Sequence, residues 1–206
     1  MDERKIRVAV LVSGGGTNLQ AIIDASRAGK IPSAELCLVV SDNPGAYALE
    51  RAGVSGIKTA VIPKKGAAVR DFCRMLEGVL DENCIELIVL AGFLTILDGD
   101  FTKKYDRRII NVHPSLIPSF CGKGFYGLRV HEAALDRGVK VTGATVHFVN
   151  EIPDGGEIIA QKPVPVLPGD TPGILQKRVM EQAEWIILPE AVETVANGML
   201  RSSRED

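Results

Sequence analysis

The fold is decided by the stretch IRVAVLV-SGGG-TNLQAIIDASR, which runs from Ile6 to Arg27. Its first seven residues are apolar except for Arg7, and most of them are β-branched. Ser13 and three glycines follow, and the remainder has apolar residues at helical spacing. A strand, a glycine turn and a helix in this order begin a parallel α/β unit. The stretch therefore predicts an α/β fold.

The alternation of strand and helix patterns continues along the chain. Apolar runs predict strands at 34–40, 58–62, 85–91 and 109–112, and helical spacing predicts helices at 47–52, 67–83, 98–105 and 130–137. The pattern then changes: two consecutive strands are predicted at 142–149 and 157–166. The segment 171–200 is predicted to be mostly helical, bent or split at Pro189.

These elements predict one doubly wound, mostly parallel sheet with antiparallel strands near the C-terminal end, in a single domain of residues 1–206. Such sheets bind ligands beyond the carboxyl ends of their strands. We therefore expect the strand ends after Val12, Ala91 and Val112 to meet at one crevice.

Composition restricts the class of protein. The net charge is −2 without a basic block, which argues against a nucleic-acid partner. No apolar run approaches the ~18 residues of a membrane span, and the charged start is no signal peptide. The four cysteines lack paired spacing, which is typical of thiols in a reducing compartment. We expect a cytoplasmic protein that binds small molecules.

The glycine turn is a candidate phosphate site. Gly14, Gly15 and Gly16 let backbone N–H groups converge at a helix start, and Thr17 and Asn18 can add side-chain hydrogen bonds. The turn lacks the third glycine of a dinucleotide fingerprint and the Gly-Lys-Ser/Thr ending of a P-loop. The alternative is a tight turn with a helix cap at Thr17.

A second candidate lies where the strand 109–112 ends. Asn111 and His113 are two positions apart, so both point to the same side of a strand. Pro114 then biases the chain away from helix. An amide and an imidazole at a strand end are typical of half an active site. The alternative is that Asn111 caps a turn and His113 is a satisfied polar residue.

The remaining histidines do not indicate a metal site. The chain has three histidines and no Cys-x-x-Cys, and the segment from His131 to Leu135 lacks the second histidine of the zinc-protease pattern. We expect His131 to be a surface or capping residue and His147 to be packed within its strand.

Asp154, which precedes two glycines, has two interpretations. An Asp-Gly-Gly sequence usually forms a turn. Alternatively, the hairpin folds back so that the Asp154 carboxylate pairs with a histidine and orients it. Only tertiary structure can join Asp154 to His113, because the two are far apart in sequence.

Taken together, these residues resemble the glycinamide ribonucleotide formyltransferase family, a group of purine-synthesis enzymes. The resemblance covers nearly the whole chain and rests on five motifs in order: Val12–Gln20, Leu90–Leu94, Asn111–Pro118, Val146–Val149 and Asp154–Gly156.

The resemblance implies a Rossmann-like formyltransferase fold and formyl transfer from 10-formyltetrahydrofolate to the amine of glycinamide ribonucleotide, without a metal. It implies small-molecule substrates and a monomer or weak homodimer. The family's catalytic set falls on Asn111, His113 and Asp154. Its phosphate loop falls on Gly14 to Asn18, and its ribose contact on Glu184. Its folate pocket matches two segments: Phe93, Leu94, Thr95, Ile96 and Leu97, and Asn150, Glu151, Ile152 and Pro153.

The chain departs from the family pattern in three places. The segment Ser119–Gly127, rich in glycine and aromatic residues, predicts a loop that is longer than usual. Val69 stands where many members have an arginine, so Lys64, Lys65 or Arg70 would contact anionic groups instead. One extra residue after Arg178 leaves the register of Glu184 open.

Three other functions remain as alternatives. A formyltetrahydrofolate hydrolase uses a similar Asn, His and Asp set, but its family carries an extra N-terminal domain, whereas the first strand here begins by Ile6. The formyltransferase of initiator methionyl-tRNA carries an additional C-terminal domain for RNA. A non-catalytic nucleotide-binding module would explain the glycine turn but would leave Asn111, His113 and Asp154 without a role.

Overall fold

The computed structural model describes residues 4–64 and 66–205. The strands of this part of the chain are β1 (Ile6–Val12), β2 (Ala34–Ser41), β3 (Lys58–Val61), β4 (Leu87–Leu90), β5 (Ile109–His113), β6 (Val141–Phe148) and β7 (Ile158–Pro165). Its helices are α1 (Thr17–Arg27), α2 (Tyr47–Val54), α3 (Val69–Glu82), α4 (Gly99–Lys104), α5 (Leu128–Arg137), α6 (Pro172–Val179) and α7 (Trp185–Glu205). A π-helical turn, Met180–Glu184, separates α6 from α7.

The strands form one sheet in the order β3-β2-β1-β4-β5-β6-β7. Neighbouring strands are parallel from β3 to β5, whereas β6 is antiparallel to β5 and β7 is antiparallel to β6. The predicted fold class is therefore confirmed. The chain order switches direction between β1 and β4, and this switch point opens the crevice in which such sheets bind ligands.

Helices cover both faces of the sheet, because the strands of a parallel sheet are apolar on both sides. In β1, Val8, Val10 and Val12 pack in the same cluster as buried residues of α1 and α7. Ala9 and Leu11 face the opposite cluster, which contains buried residues of α3 and α4. The continuous apolar run of β1 thus supplies both layers of the core.

The long C-terminal helical segment is interrupted at a different place from the one predicted. Pro189 lies inside α7 and does not split it. The interruption is the π-turn Met180–Glu184, and a π-turn holds one more residue than an α-turn. This turn begins two residues after Arg178, the place at which the resemblance implies an extra residue.

Two further sequence expectations concern a basic candidate residue and membrane-spanning segments. Lys65 lies outside the described residues. Among the described helices, none is both long enough and apolar enough to cross a lipid bilayer.

Candidate active site

The end of β5 brings Asn111 and His113 to the edge of the crevice. In the antiparallel pairing of β5 with β6, Asn111 lies opposite His147 and His113 lies opposite Thr145. Asn111 Nδ2 is 3.2 Å from His147 Nε2. His147 Nδ1 is 2.8 Å from the carbonyl oxygen of Phe148, which only an Nδ1–H group can satisfy. In the neutral ring, Nε2 then accepts from Asn111 and fixes the orientation of its amide.

Asp154 folds back from the β6–β7 connection onto these side chains. Its Oδ2 lies 3.5 Å from His113 Nδ1, and its Oδ1 lies 3.6 Å from His147 Nε2. Asp154 has a left-handed backbone conformation with φ of 54°. A Cβ at Gly156 would come within 1.8 Å of the Phe148 carbonyl oxygen, so only glycine fits there. The Asp-Gly-Gly sequence therefore forms the turn and directs the carboxylate to His113.

The loop Ser119–Gly127 contacts His113 and Asp154. The carbonyl oxygen of Phe120 lies 2.9 Å from His113 Nε2, and the backbone N–H of Gly122 donates to Asp154 Oδ2 at 2.7 Å. Both ring nitrogens of His113 thus face oxygen acceptors. The doubly protonated ring is the form that can donate at both positions.

The electrostatics of the group depend on its mutual pairing. Burial acts to raise the pKa of Asp154, but the interaction with His147, the charge of His113 and the amide of Gly122 outweigh it and hold this pKa below its ordinary value. The neighbouring His131 is fully buried on α5. Burial and the charge of His113 lower the pKa of His131 to about 4, so its ring is neutral.

These contacts correct one sequence expectation and extend another. His131 is not a surface or capping residue, because α5 packs it into the interior, and its ring nitrogens have no partner among the described residues. His147 is buried, as expected, but it also contacts Asn111 and Asp154. The sequence signal that could have identified it is its position in a strand next to β5 in the sheet.

The glycine turn leaves its backbone donors free. The carbonyl oxygen of Gly14 accepts from Ala48 N at 3.1 Å, and that of Gly15 accepts from Arg51 Nε at 2.8 Å. The N–H groups of residues 14–18 have no acceptor in the described part of the chain. Gly16 has φ of 73° and precedes α1, so the alternative of a cap at Thr17 is wrong.

The turn approaches α2 too closely for larger residues at one position. A Cβ at Gly16 would lie 2.6 Å from the Cβ of Ala48, whereas a Cβ at Gly14 or Gly15 would meet no atom within 4 Å. The space beside the first two glycines is therefore open to a ligand. A cavity of about 580 Å³ between α1 and α7 shares Thr17 with the turn.

The π-turn brings Glu184 to the first turn of α1. Asn18 Nδ2 donates to Glu184 Oε2 at 2.7 Å, and Glu184 is 6% exposed. Burial raises the pKa of Glu184 to about 6, against the opposing effect of the Asn18 hydrogen bond. The Asn18 side chain is thus engaged by Glu184, while its backbone N–H faces no described acceptor.

The two segments matched to the folate pocket lie close to each other. The loop Phe93–Leu97 leads into α4, and Glu151 of the other segment lies 3.6 Å from Lys103 of α4. Asn150 Oδ1 accepts from Ile152 N at 2.9 Å, which shapes the turn that leads to Pro153 and Asp154. Three large apolar side chains of these segments are exposed: Leu94, Ile96 and Ile152. They offer an apolar surface to a flat ring.

The basic residues that are candidates for binding anionic groups make few side-chain contacts. Lys64 is exposed, and its backbone N–H bonds the Asp42 carbonyl oxygen at 3.4 Å. Arg70 lies 3.8 Å from Asp100 in a largely exposed pair, which contributes little to stability. Val69 is the first residue of α3 and is partly exposed. Within residues 4–64 and 66–205, no cluster of three or more His, Cys, Asp or Glu is arranged to hold a metal ion.

Comparison with known proteins identifies the family. A family model described as Formyl transferase matches residues 6–192. The trifunctional purine biosynthetic protein adenosine-3 of Gallus gallus is 46% identical over 96% of this chain, which spans only 19% of that protein's length. The phosphoribosylglycinamide formyltransferase of Haemophilus influenzae is 40% identical over 95% of this chain and 89% of that protein.

A solved structure has the same fold. The crystal structure of glycinamide ribonucleotide transformylase 1 from Symbiobacterium toebii superimposes with a TM-score of 0.88 at 40% identity, covering 94% of this chain and 89% of that one. The resemblance inferred from the five motifs is confirmed. The chain belongs to the formyl transferase family.

Proposed function

We propose that the chain transfers a formyl group from 10-formyltetrahydrofolate to the amine of glycinamide ribonucleotide in purine biosynthesis. The observation that carries the proposal is the convergence of Asn111, His113 and Asp154 at the end of β5, beside a glycine turn with free N–H groups. The names of the relatives above support the choice of acceptor.

Asn111 stabilises the charge that develops during transfer. Attack of the amine on the formyl carbon makes a C–N bond and places negative charge on the formyl oxygen. One N–H of Asn111 Nδ2 faces His147, and the second has no acceptor among residues 4–64 and 66–205, so it can donate to that oxygen. A preorganised donor of this kind stabilises the oxyanion more than water does.

His113 and Asp154 complete the reaction. The doubly protonated His113 stabilises the oxyanion, and the Asp154 carboxylate holds that ring. The attacking amine must be neutral, although an α-amino group with a pKa near ~8 is mostly protonated at neutral pH. It loses one proton as the C–N bond forms, and the departing folate nitrogen gains one as its bond to the formyl carbon breaks. Asp154, directly or through water, relays that proton.

The surrounding segments hold the two substrates. The N–H groups of residues 14–18 suit the phosphate, and the Glu184 carboxylate suits a ribose hydroxyl. The apolar side chains of Phe93–Leu97 and Asn150–Pro153 fit the folate ring. Lys64, Lys65 and Arg70 are the candidates for its anionic groups. Holding both substrates together removes much of the entropic barrier.

The wider assignments are part of the same proposal. We propose that residues 1–206 form a single domain that acts on small-molecule substrates in the cytoplasm, without a metal, nucleic acid or membrane partner, as a monomer or weak homodimer. The four free thiols and the net charge of −2 support this assignment.

One assay separates the proposed function from its alternatives. Loss of 10-formyltetrahydrofolate is followed with no acceptor, with glycinamide ribonucleotide and with initiator methionyl-tRNA. We expect loss only with glycinamide ribonucleotide. Loss without an acceptor indicates the hydrolase, loss with the tRNA indicates the other transferase, and no loss indicates a non-catalytic nucleotide-binding module.

A further inference from the structure

The loop Phe93–Leu97 has neither helical nor strand structure, yet its middle residue is buried. Thr95 is 5% exposed, whereas its neighbours Leu94 and Ile96 are 62% and 67% exposed. The chain therefore points one polar side chain inward and two apolar side chains outward. A loop without a backbone ladder depends on such side-chain anchors for its conformation.

Thr95 is anchored by a carboxylate from another strand end. Its hydroxyl donates to Oδ2 of Asp42, the residue after β2, at 2.5 Å. A hydrogen bond from a hydroxyl to a carboxylate is short and roughly twice as strong as a neutral one. The other oxygen, Asp42 Oδ1, is buried and has no partner among the described residues. Thr95 is therefore the side chain that pairs this carboxylate.

A second anchor holds the preceding residue. Ser13, directly after β1, accepts from Leu94 N at its Oγ at 2.9 Å and donates its own N–H to the Gly92 carbonyl oxygen at 3.2 Å. Adjacent loop residues are thus tied to the ends of two adjacent strands. Ser13 holds the loop at the backbone N–H of Leu94, and Asp42 holds it at the hydroxyl of Thr95.

We propose that Asp42 and Thr95 are a positioning pair that sets the conformation of the folate-binding loop, and that neither touches the reacting atoms. The inference rests on the proposed function, because it takes Phe93–Leu97 as part of the folate site. When the pair forms, Leu94 and Ile96 are held on the crevice side. When it is broken, the Asp42 carboxylate loses its only described side-chain partner and the loop loses one of its hydrogen-bonded anchors.

The test compares Thr95→Val with Thr95→Ser. Valine keeps the shape and removes the hydroxyl, whereas serine restores the hydroxyl. We expect Thr95→Val to raise KM for 10-formyltetrahydrofolate roughly 10- to 100-fold, the range that a hydrogen bond to a charged group supports. KM for glycinamide ribonucleotide and kcat should change less than threefold. Thr95→Ser should stay close to wild type.

Two further variants make the test specific. Thr102→Val is the matched control, because Thr102 is similarly buried and, in the described part of the chain, its hydroxyl bonds only the Gly99 carbonyl oxygen of its own helix α4. It should leave both KM values unchanged. Asp42→Asn retains an acceptor without the charge, so its KM for the folate should fall between wild type and Thr95→Val. If Thr95→Val fails to fold, Asp42→Asn tests the pair in its place.

Calorimetric measurement of tetrahydrofolate binding separates the proposal of the Asp42–Thr95 pair from the proposed formyl-transfer function. Weaker binding by Thr95→Val than by Thr95→Ser supports the pair, even if the wild type transfers no formyl group and the proposed function fails. Equal binding by Thr95→Val and Thr95→Ser overturns the pair, as does a rise of equal size in the KM for 10-formyltetrahydrofolate and the KM for glycinamide ribonucleotide. If the wild type nevertheless transfers the formyl group, the proposed function stands. A wild type that binds no tetrahydrofolate overturns the pair as well.

Discussion

Asp154 is half-buried and Glu184 is buried, and the pKa values of the two carboxyl groups shift in opposite directions. Asp154 lies between two histidines and a backbone N–H, and its pKa is lowered. Glu184 faces the neutral amide of Asn18, and its pKa is raised to about 6. Burial alone disfavours the charged form in both cases.

The difference indicates what each carboxylate can do. A carboxylate beside a protonated histidine stays ionised and can hold that imidazolium ring, as the proposed reaction requires. A carboxylate with only an amide partner is readily protonated, and it gains from a hydroxyl donor supplied by a ligand. The partners of the two groups thus suit the catalytic role proposed for Asp154 and the binding role proposed for Glu184.

The largest expected effect is that of Asp154→Asn. Loss of the charge that holds His113, and of the proton relay, should lower kcat about 100- to 10,000-fold. Asp106→Asn, the same change on an exposed residue before β5, is the control and should be neutral. Steady-state kinetics measures both variants. A kcat within threefold of wild type for Asp154→Asn would remove the catalytic role.

The same variant tests the lowered pKa through stability. Because the folded-state pKa of Asp154 lies below its ordinary value of 3.8, its ionised form stabilises the protein above that pH. This contribution is lost as the pH falls through the lower folded-state value. The stability advantage of wild type over Asp154→Asn should therefore shrink in acid, as measured by urea unfolding between pH 2 and 7. An advantage that grows in acid contradicts the shift.

Asn111→Ala should have the next largest effect. Removing an oxyanion donor costs about 2.7–4 kcal/mol of transition-state stabilisation, or roughly 100- to 1000-fold in kcat, with the fold retained. Asn197→Ala, on α7 away from the crevice, is the control and should leave kcat unchanged. Circular dichroism checks the fold. Normal turnover, or unfolding of Asn111→Ala alone, would argue against the oxyanion role.

The smallest of these effects is that of Glu184→Gln on stability. Because the folded-state pKa of about 6 exceeds the ordinary 4.5, wild type is relatively more stable below pH 4.5 and loses that advantage as the pH rises through about 6. The difference corresponds to about 2 kcal/mol. Glu184→Gln should lack this slope and be the more stable protein at pH 8 by about that amount.

Substrate binding gives a second measurement for Glu184→Gln. KM for glycinamide ribonucleotide should rise roughly tenfold, since a neutral acceptor replaces a charged one. Glu181→Gln removes the same charge from an exposed position of the π-turn and should change neither stability nor KM. If Glu184→Gln and Glu181→Gln both retain the pH dependence of wild-type stability, the buried Glu184 carboxyl group is not the origin of that dependence.

Much of the fold could be predicted because its signals are local. The apolar run of β1 and the glycines that end it indicate a parallel unit, and all seven predicted strands exist. The strand ends after Val12 and Ala91 meet as expected, since Ser13 bonds Gly92 and Leu94. The structure interrupts the last helix at the π-turn and not at the predicted Pro189, because α7 tolerates the proline and local sequence does not show where a helix widens.

The site was predictable in its residue types and less so in its contacts. Asn111 and His113 follow from one strand end, but His147 joins them only through the pairing of β5 with β6. The sequence predicts His131 as a surface or capping residue, whereas α5 packs it inside. Neither outcome follows from local periodicity.

The sequence by itself determined the alternating elements, the open crevice and the glycine turn, because these depend on the side-chain period and on residues that end strands. Tertiary structure alone decided that Asp154 reaches His113, that Gly122 closes on Asp154 across 32 residues, and that Glu184 meets Asn18 across 166. Each is a contact between distant segments, so it depends on how the sheet orders its strands and on how the π-turn joins α6 to α7.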